Sequence, residues 1–205
     1  MTSVAIIDDH SVVRMGLKYI IASEKDFTFA GECGSGAEAA RFTRETQPDV
    51  LLLDVRMPGT DGLAALAEIL AARPAQKVIM LTTSEADDDI YRALSLGAKG
   101  YLLKDRDSAD ICAAIRRVAA GGRFVPASVQ ALYDRRRMMP DLTPRERDVL
   151  ALAADGLTNE EIAARLGISY EGVKLHMKHM FVKLDVRDRV GLVTSALRHG
   201  FVKGA

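Results

Sequence analysis

Four short apolar runs, each giving way to polar or charged residues, constrain this chain more than any other feature. Val4-Ala5-Ile6-Ile7 ends in Asp8-Asp9, and Val50-Leu51-Leu52-Leu53 ends in Asp54. Val78-Ile79-Met80-Leu81 ends in Thr82-Thr83-Ser84, and Gly100-Tyr101-Leu102-Leu103 ends in Lys104. Phe27-Thr28-Phe29-Ala30 reads as a fifth strand. Helical spacing fills the gaps, with Val13, Leu17 and Ile20-Ile21 on one face of 11–23, and with Leu63, Leu66, Ile69 and Leu70 on another helix. Ser35-Gly36-Ala37-Glu38 has the form of a capping box opening a helix. Further helices are expected over Asp87 to Leu96 and from a Ser108 cap to Gly121-Gly122. Runs apolar throughout suit strands buried on both faces, and fivefold strand–helix alternation predicts a parallel sheet covered by helices on both sides. Ligands bind such sheets at the carboxyl ends of the strands, where the polar residues lie.

The periodicity fades over 123–141, which reads as a linker carrying Arg135-Arg136-Arg137 and a helical turn near Val129–Tyr133. From Leu142 onward the pattern is helical. Thr143-Pro144-Arg145-Glu146 supplies an N-cap, a proline at the first helical position and an acid at the third. Thr158-Asn159-Glu160-Glu161 is a second capping box, and Ser169 caps a helix of about 14 residues. A last helix is expected from Arg187 to His199. Two helices joined by Gly167-Ile168-Ser169 form a helix-turn-helix pattern. The expected division is 1–122, a linker 123–141, and 142–205.

The formal net charge of 0 hides an asymmetry. Residues 1–125 hold 15 basic and 18 acidic residues, and 126–205 hold 13 and 10, so the front suits a cation and the back an anion such as nucleic acid. No apolar run approaches the ~18–20 residues of a membrane helix, and residues 1–7 lack the basic start of a signal peptide. Cys33 and Cys112 form no metal-binding spacing, which makes a zinc site or disulfide scaffold unexpected.

Asp8, Asp9 and Asp54 place three carboxylates on one sheet edge, an arrangement that calls for a neutralising cation. Hard oxygen ligands suit Mg²⁺ (or Mn²⁺), which also offsets charge on a phosphoryl group under attack by a carboxylate. Thr82 can donate a hydroxyl to a phosphoryl oxygen, and Lys104 supplies a fixed positive charge. The set fits phosphoryl transfer to an aspartate.

On a helical wheel from Tyr170, the residues Val173, Met177, Met180, Phe181 and Leu184 share an inward arc. The opposite arc carries Glu171, Lys174, Leu175, Lys178, His179 and Val182. Apolar side chains beside lysines suit DNA, where an apolar group touches a thymine methyl and lysines reach guanine or phosphate. Thr158-Asn159 opens the neighbouring helix, whose free N–H groups suit a phosphate.

Ile7-Asp8-Asp9-His10, Leu53-Asp54-Val55-Arg56-Met57-Pro58-Gly59 and Gly100-Tyr101-Leu102-Leu103-Lys104-Asp105 make residues 4–121 resemble the receiver domain of two-component response regulators. The resemblance implies a five-stranded, doubly wound, CheY-like (flavodoxin-like) α/β fold. It makes Asp54 the phosphoacceptor, with Asp9 and Asp54 binding Mg²⁺ directly, Asp8 through water and Arg56 through its main-chain carbonyl. Thr82 and Tyr101 become a switch pair and Lys104 the phosphate counter-ion. Many receivers carry proline where this chain has Asp105, a Lys-Asp pair common in the NarL/FixJ subgroup. Leu142-Thr143-Pro144-Arg145-Glu146-Arg147, Asn159-Glu160-Glu161-Ile162-Ala163 and Val173-Lys174-Leu175-His176 resemble the LuxR-type helix-turn-helix. By that resemblance Lys174, Leu175 and Lys178 read base edges, Thr158, Asn159 and Lys183 hold phosphates, and Val190 to Leu197 supply a dimer seam. Gly172 stands where the family usually has threonine.

The resemblance implies a cytoplasmic transcription factor, not an enzyme with an external substrate. It further implies that a sensor histidine kinase phosphorylates Asp54, that the chain dimerises on paired half-sites of double-stranded DNA, and that contact with RNA polymerase is open to it. A magnesium phosphohydrolase is the enzymic alternative, but Arg56 stands where such enzymes carry a general acid. The other alternative is a phosphate-independent receiver acting as a docking module; the full Asp–Thr–Lys set argues against it.

Overall fold

The computed structural model describes residues 1–83 and 87–202, so Ser84 and the last three residues of the expected third segment lie outside it. The first unit holds β1 (Thr2–Ile7), α1 (Ser11–Ser23), β2 (Phe27–Cys33), α2 (Ala39–Thr46), β3 (Val50–Asp54) and α3 (Gly62–Ala72). It continues through β4 (Lys77–Thr82), α4 (Asp87–Leu96), β5 (Gly100–Leu103) and α5 (Ser108–Ala119). The five strands form one parallel sheet in the order β2-β1-β3-β4-β5, the expected doubly wound arrangement.

Register carries the chemistry to one place. Ile7 pairs with Leu53, and Asp54 with Leu81, so β1, β3 and β4 end level with one another. The order reverses between β1 and β3, the switch point at which such sheets bind ligands. All five residues of β3 are buried. Ile6, Leu52, Ile79 and Leu102 pack with Leu17 and Ile21 of α1 and with Ile111, Ile115 and Val118 of α5. That continuous burial fixes where each strand stops, and hence where the acids emerge.

Gly62 tightens the frame behind Asp54. Asp61 caps α3 by accepting from Ala64 N at 2.9 Å, and Gly62 N donates to Val55 O at 3.0 Å. A Cβ at Gly62 would lie 1.8 Å from the Asp54 carbonyl oxygen. Gly62→Ala must therefore push α3 off the strand or shift Asp54 itself. We expect a loss of about 1–3 kcal/mol, read by urea unfolding of the full chain; an unchanged midpoint would show that the contact relaxes freely.

α6 (Ala127–Arg137) follows, and the compact units divide between Ala131 and Leu132, inside this helix. The second unit contains α7 (Pro144–Ala154), α8 (Asn159–Leu166), α9 (Tyr170–Lys183) and α10 (Arg189–Arg198). Val149, Leu150, Ile162, Val173, Met177, Met180, Leu192 and Ala196 form its core. Both capping boxes close, at Thr143/Glu146 and Thr158/Glu161, and Ser169 caps α9 through Gly172 N. Gly167 adopts the left-handed conformation (φ 63°) that ends α8 and turns the chain into α9.

Several local expectations change. Ser35 makes no capping bond; Gly36–Glu38 is a 3₁₀ turn and α2 starts at Ala39. Gly36 is pressed so close to Thr60 that a Cβ would lie 2.0 Å from its carbonyl oxygen, and Glu38 pairs with Arg41 instead of reaching back. Asp107, not Ser108, caps α5, its carboxylate accepting from Asp110 N. Asp188 caps α10 through Gly191 N, so that helix begins at Arg189 rather than Arg187. β2 runs on to Cys33 because its pairing with β1 continues to Ile7. The turn expected near Val129–Tyr133 is an 11-residue helix. Its Ala, Gln, Leu and Arg residues favour helix intrinsically without showing an apolar stripe. Among the described residues no peptide bond is cis, the Lys104–Asp105 bond included.

Candidate functional site

The ends of β1, β3, β4 and β5 bring Asp8, Asp9, Asp54, Thr82 and Lys104 to one edge of the sheet. Asp8, Asp54 and Thr82 are buried. Lys104 Nζ lies 2.7 Å from Asp8 Oδ2 and 2.8 Å from Asp54 Oδ2. Its backbone N–H donates to Thr82 O at 2.7 Å, and Val55 N–H to Leu81 O at 2.9 Å, so the ladder continues past the strands and holds these loops. Arg56 N–H donates to Asp54 Oδ1 at 3.2 Å.

Burial pushes the Asp54 carboxyl above the usual aspartate range, and Asp8 adds to the shift, while Lys104 and the Arg56 N–H oppose it. Burial alone would lower the Lys104 ammonium, but the bonds from Asp54 and Asp8 outweigh it and hold its pKa above the ordinary lysine value. The lysine is therefore a permanent cation. One ammonium against three carboxylates leaves negative charge uncompensated. Oxygens of Asp8, Asp9 and Asp54 and a ring nitrogen of His10 all lie within 4.8 Å of one another. That donor set fits a divalent cation. Tyr101 is fully buried beneath the edge.

Two residues here, His10 and Arg14, were given no role from sequence, and the Arg56 side chain adds a contact to its expected main-chain part. His10 N–H donates to Asp8 Oδ1 at 2.9 Å, and its Nδ1 lies 2.9 Å from Asp9 Oδ1. Arg14 Nη1 donates to Asp8 O at 2.7 Å. The Arg56 guanidinium pairs with Asp89 of α4, tying that helix to the loop after β3. His10 was the legible one, adjoining the acid pair; the arginines act over distances that spacing does not reveal.

In the second unit, α9 presents the expected faces. Val173, Met177, Met180 and Leu184 are buried, whereas Lys174, Leu175, Lys178, His179 and Val182 are exposed. Lys174 Nζ contacts Glu171 Oε1 at 3.3 Å. Between this face and the start of α8 lies an open groove of about 610 Å³ whose lining includes Thr158, Asn159, Tyr170, Lys174, Lys178 and Arg189. Thr158 spends its hydroxyl on the Glu161 cap, and Asn159 Oδ1 accepts from Arg189 Nη1 at 3.4 Å.

Lys183 departs from its expected sideways reach to a phosphate. Its Nζ lies 2.7 Å from Glu146 Oε2 and donates to Asp141 O at 3.1 Å, inside its own unit. Glu146 is only 3% exposed, and as the third residue of α7 it also accepts the Thr143 N–H. Burial works to raise the Glu146 carboxyl, but Lys183 and the Thr143 bonds outweigh it and bring its pKa below the usual glutamate value. A depressed folded pKa means stability that is present above the unfolded value of 4.5 and lost as pH falls through the lower folded one. Lys183→Ala should destabilise this unit by about 1–3 kcal/mol by stranding the buried carboxylate, and should shrink its acid-induced loss of stability. Thermal unfolding between pH 7 and 3 checks both; an undiminished acid slope in the variant counts against the pairing.

Comparison with known proteins follows these two units. Residues 4–116 match the response regulator receiver domain family, and residues 140–196 match the luxR family of bacterial regulatory proteins. The chain is 36% identical over 197 residues to the nitrate/nitrite response regulator protein NarL of Escherichia coli K12, covering 92% of this chain and 91% of that one. It is 35% identical over 205 residues to the response regulator protein VraR of Staphylococcus aureus, covering 98% of each. A solved structure of RcsB from Salmonella enterica serovar Typhimurium, bound to a promoter in the presence of phosphomimetic BeF3⁻, matches with a TM-score of 0.72 at 27% identity. That match covers 95% of this chain and 97% of RcsB.

Proposed function

Because this chain belongs to the NarL/FixJ family of two-component response regulators, a receiver joined to a LuxR-type DNA-binding domain, we propose that phosphorylation of Asp54 controls its binding to DNA. The protein is a transcription regulator rather than a typical enzyme. The observation that carries the finer reading is Lys104 Nζ, held 2.7–2.8 Å from both buried acids at the switch point of the sheet.

A phosphohistidine of a sensor kinase is the donor. An Asp54 carboxylate oxygen forms the new O–P bond as the donor N–P bond breaks, and the leaving imidazole nitrogen keeps the electron pair. Asp9 and Asp54 would hold Mg²⁺ directly, Asp8 through water and Arg56 through its main-chain carbonyl. When bound, the ion offsets charge on the phosphoryl oxygens. Lys104, already cationic, turns from the bare carboxylate to the new phosphoryl oxygens. Thr82 supplies a hydroxyl to the same group, and Tyr101 follows it as the second half of the switch.

The output is dimerisation and sequence-specific DNA binding in the cytoplasm. No helix among the described residues is long and apolar enough to cross a membrane. Lys174, Leu175 and Lys178 face base edges, while Thr158 and Asn159 at the start of α8 meet a phosphate. Val190 and Leu197, exposed on one helix, supply the apolar part of a dimer seam. The RcsB structures include dimers bound to DNA, which supports the same use here. Bound pairs place RNA polymerase within reach as a further partner.

Beryllofluoride with Mg²⁺ tests the reading. Sedimentation should show a shift from monomer toward dimer, and DNA affinity should rise about tenfold, equivalent to ~1.4 kcal/mol of coupling. Identical monomer fractions and identical affinities with and without beryllofluoride would overturn it.

A further inference from the structure

His10 has a position that its place in the helix does not explain. It occupies the N-cap of α1, yet its side chain makes no capping bond. Histidine is not among the residues that cap well, so a ring held there for the helix alone has little to do. Instead Nδ1 turns toward the acids, 2.9 Å from Asp9 Oδ1, 3.2 Å from Asp8 Oδ1 and 4.0 Å from Asp54 Oδ2.

Those three separations have a simple geometric reading. Six donors about 2.1 Å from one ion sit about 3.0 Å apart when adjacent and about 4.2 Å apart when opposite. The nitrogen thus stands at neighbouring-ligand distance from Asp9 and near opposite-ligand distance from Asp54, while its 3.2 Å approach to Asp8, which reaches the ion through water, is a hydrogen-bond separation. Imidazole is a poor partner for Mg²⁺ and a good one for borderline transition ions. The side chain is 61% exposed, so solvent reaches the ring and an ion entering from outside meets it early.

We propose that His10 is a direct nitrogen ligand in the acidic site of this receiver, which makes the site selective for divalent transition ions over Mg²⁺. This rests on the reading of Asp8, Asp9 and Asp54 as a cation site. The nitrogen would take a position that water fills in an all-oxygen site. The metal supplied to the phosphoacceptor then follows the transition-ion supply and not only magnesium, and losing His10 restores magnesium preference.

Mn²⁺ is the probe, added to the full chain and followed by pulsed electron paramagnetic resonance and by competition with Mg²⁺. The expected result is one strongly bound Mn²⁺ with ¹⁴N coupling that disappears in His10→Ala. Mn²⁺ affinity should fall about tenfold in that variant, the lower end of what ligand-support changes produce, and Mg²⁺ affinity should change far less. The exposed ring leaves the fold intact when removed, and an unchanged melting curve without metal verifies it. Asp9→Asn, which should abolish the strong site, separates it from His176 and His179 elsewhere on the chain. Strong Mn²⁺ binding without ¹⁴N coupling, or coupling that survives His10→Ala, overturns the role of His10 and leaves the acidic site standing. Absence of any strong Mn²⁺ site overturns both readings together.

Discussion

Asp54→Asn should take up no acid-labile phosphoryl group from acetyl phosphate and Mg²⁺, whereas the parent should take up about one per chain. The amide has no lone-pair anion to form the O–P bond, and the neighbouring acids cannot substitute. Asp8 is buried against Lys104, and its carbonyl and both carboxylate oxygens are engaged by Arg14, His10 and Lys104. The fold should survive. The Asp54 pKa is raised in the folded chain, first by burial, so near neutral pH its charge is less favourable folded than unfolded. Removing that charge in metal-free buffer leaves stability equal or slightly higher, and Lys104 keeps Asp8 at 2.7 Å. Mg²⁺ should raise the melting temperature of the parent through mass action and do little for the variant. A mass shift of one phosphoryl group in Asp54→Asn would remove Asp54 from the reaction. A lower melting temperature in metal-free buffer would contradict the electrostatic account.

How far the sequence reveals such a site depends on the range of the interactions. Strands buried on both faces advertise themselves as unbroken apolar runs, and the residue ending each run inherits a place on the sheet edge. Asp8, Asp54, Thr82 and Lys104 were legible for that reason. The wheel of α9 separated Met177 from Lys178 because 3.6-residue periodicity is local. The contact of Lys183 was not legible because neither a wheel nor a resemblance shows where the end of a long flexible chain settles. Its partner Glu146 is 37 residues away and looked fully used as part of a capping box. The same limit hid the pairing of Arg56 with Asp89, and the pressure of Thr60 on Gly36 that undid the Ser35 cap. Helix caps failed where two acceptors competed, as at Asp107 and Ser108, and α6 escaped because a polar helix carries no apolar period.

The base-reading assignment produces the other large effect. Lys178→Ala should weaken binding to a selected site by roughly 1–3 kcal/mol, and binding to random duplex by much less. Lys178 is exposed on the same arc as Leu175, which is 52% exposed, and among the described residues it makes no ion pair that would restrain it. Lys174 differs, because its ammonium must first leave Glu171 at 3.3 Å. Lys174→Ala also sets that carboxylate free near the phosphates. Its loss should therefore appear partly on random DNA and depend more on salt, since part of the effect is charge rather than readout. Leu175→Ala should remove only the apolar contact, with a smaller penalty confined to sites bearing thymine under that position. Met177→Ala supplies the structural contrast. The side chain is buried in the core of this unit, so truncation should destabilise it by about 2–5 kcal/mol and lower its melting temperature, while the surviving folded fraction binds normally. Competition binding at two salt concentrations distinguishes the four variants. If Lys178→Ala loses specific and random affinity in equal proportion, and its salt slope falls by about one, the lysine holds a phosphate and the reading face lies elsewhere on α9.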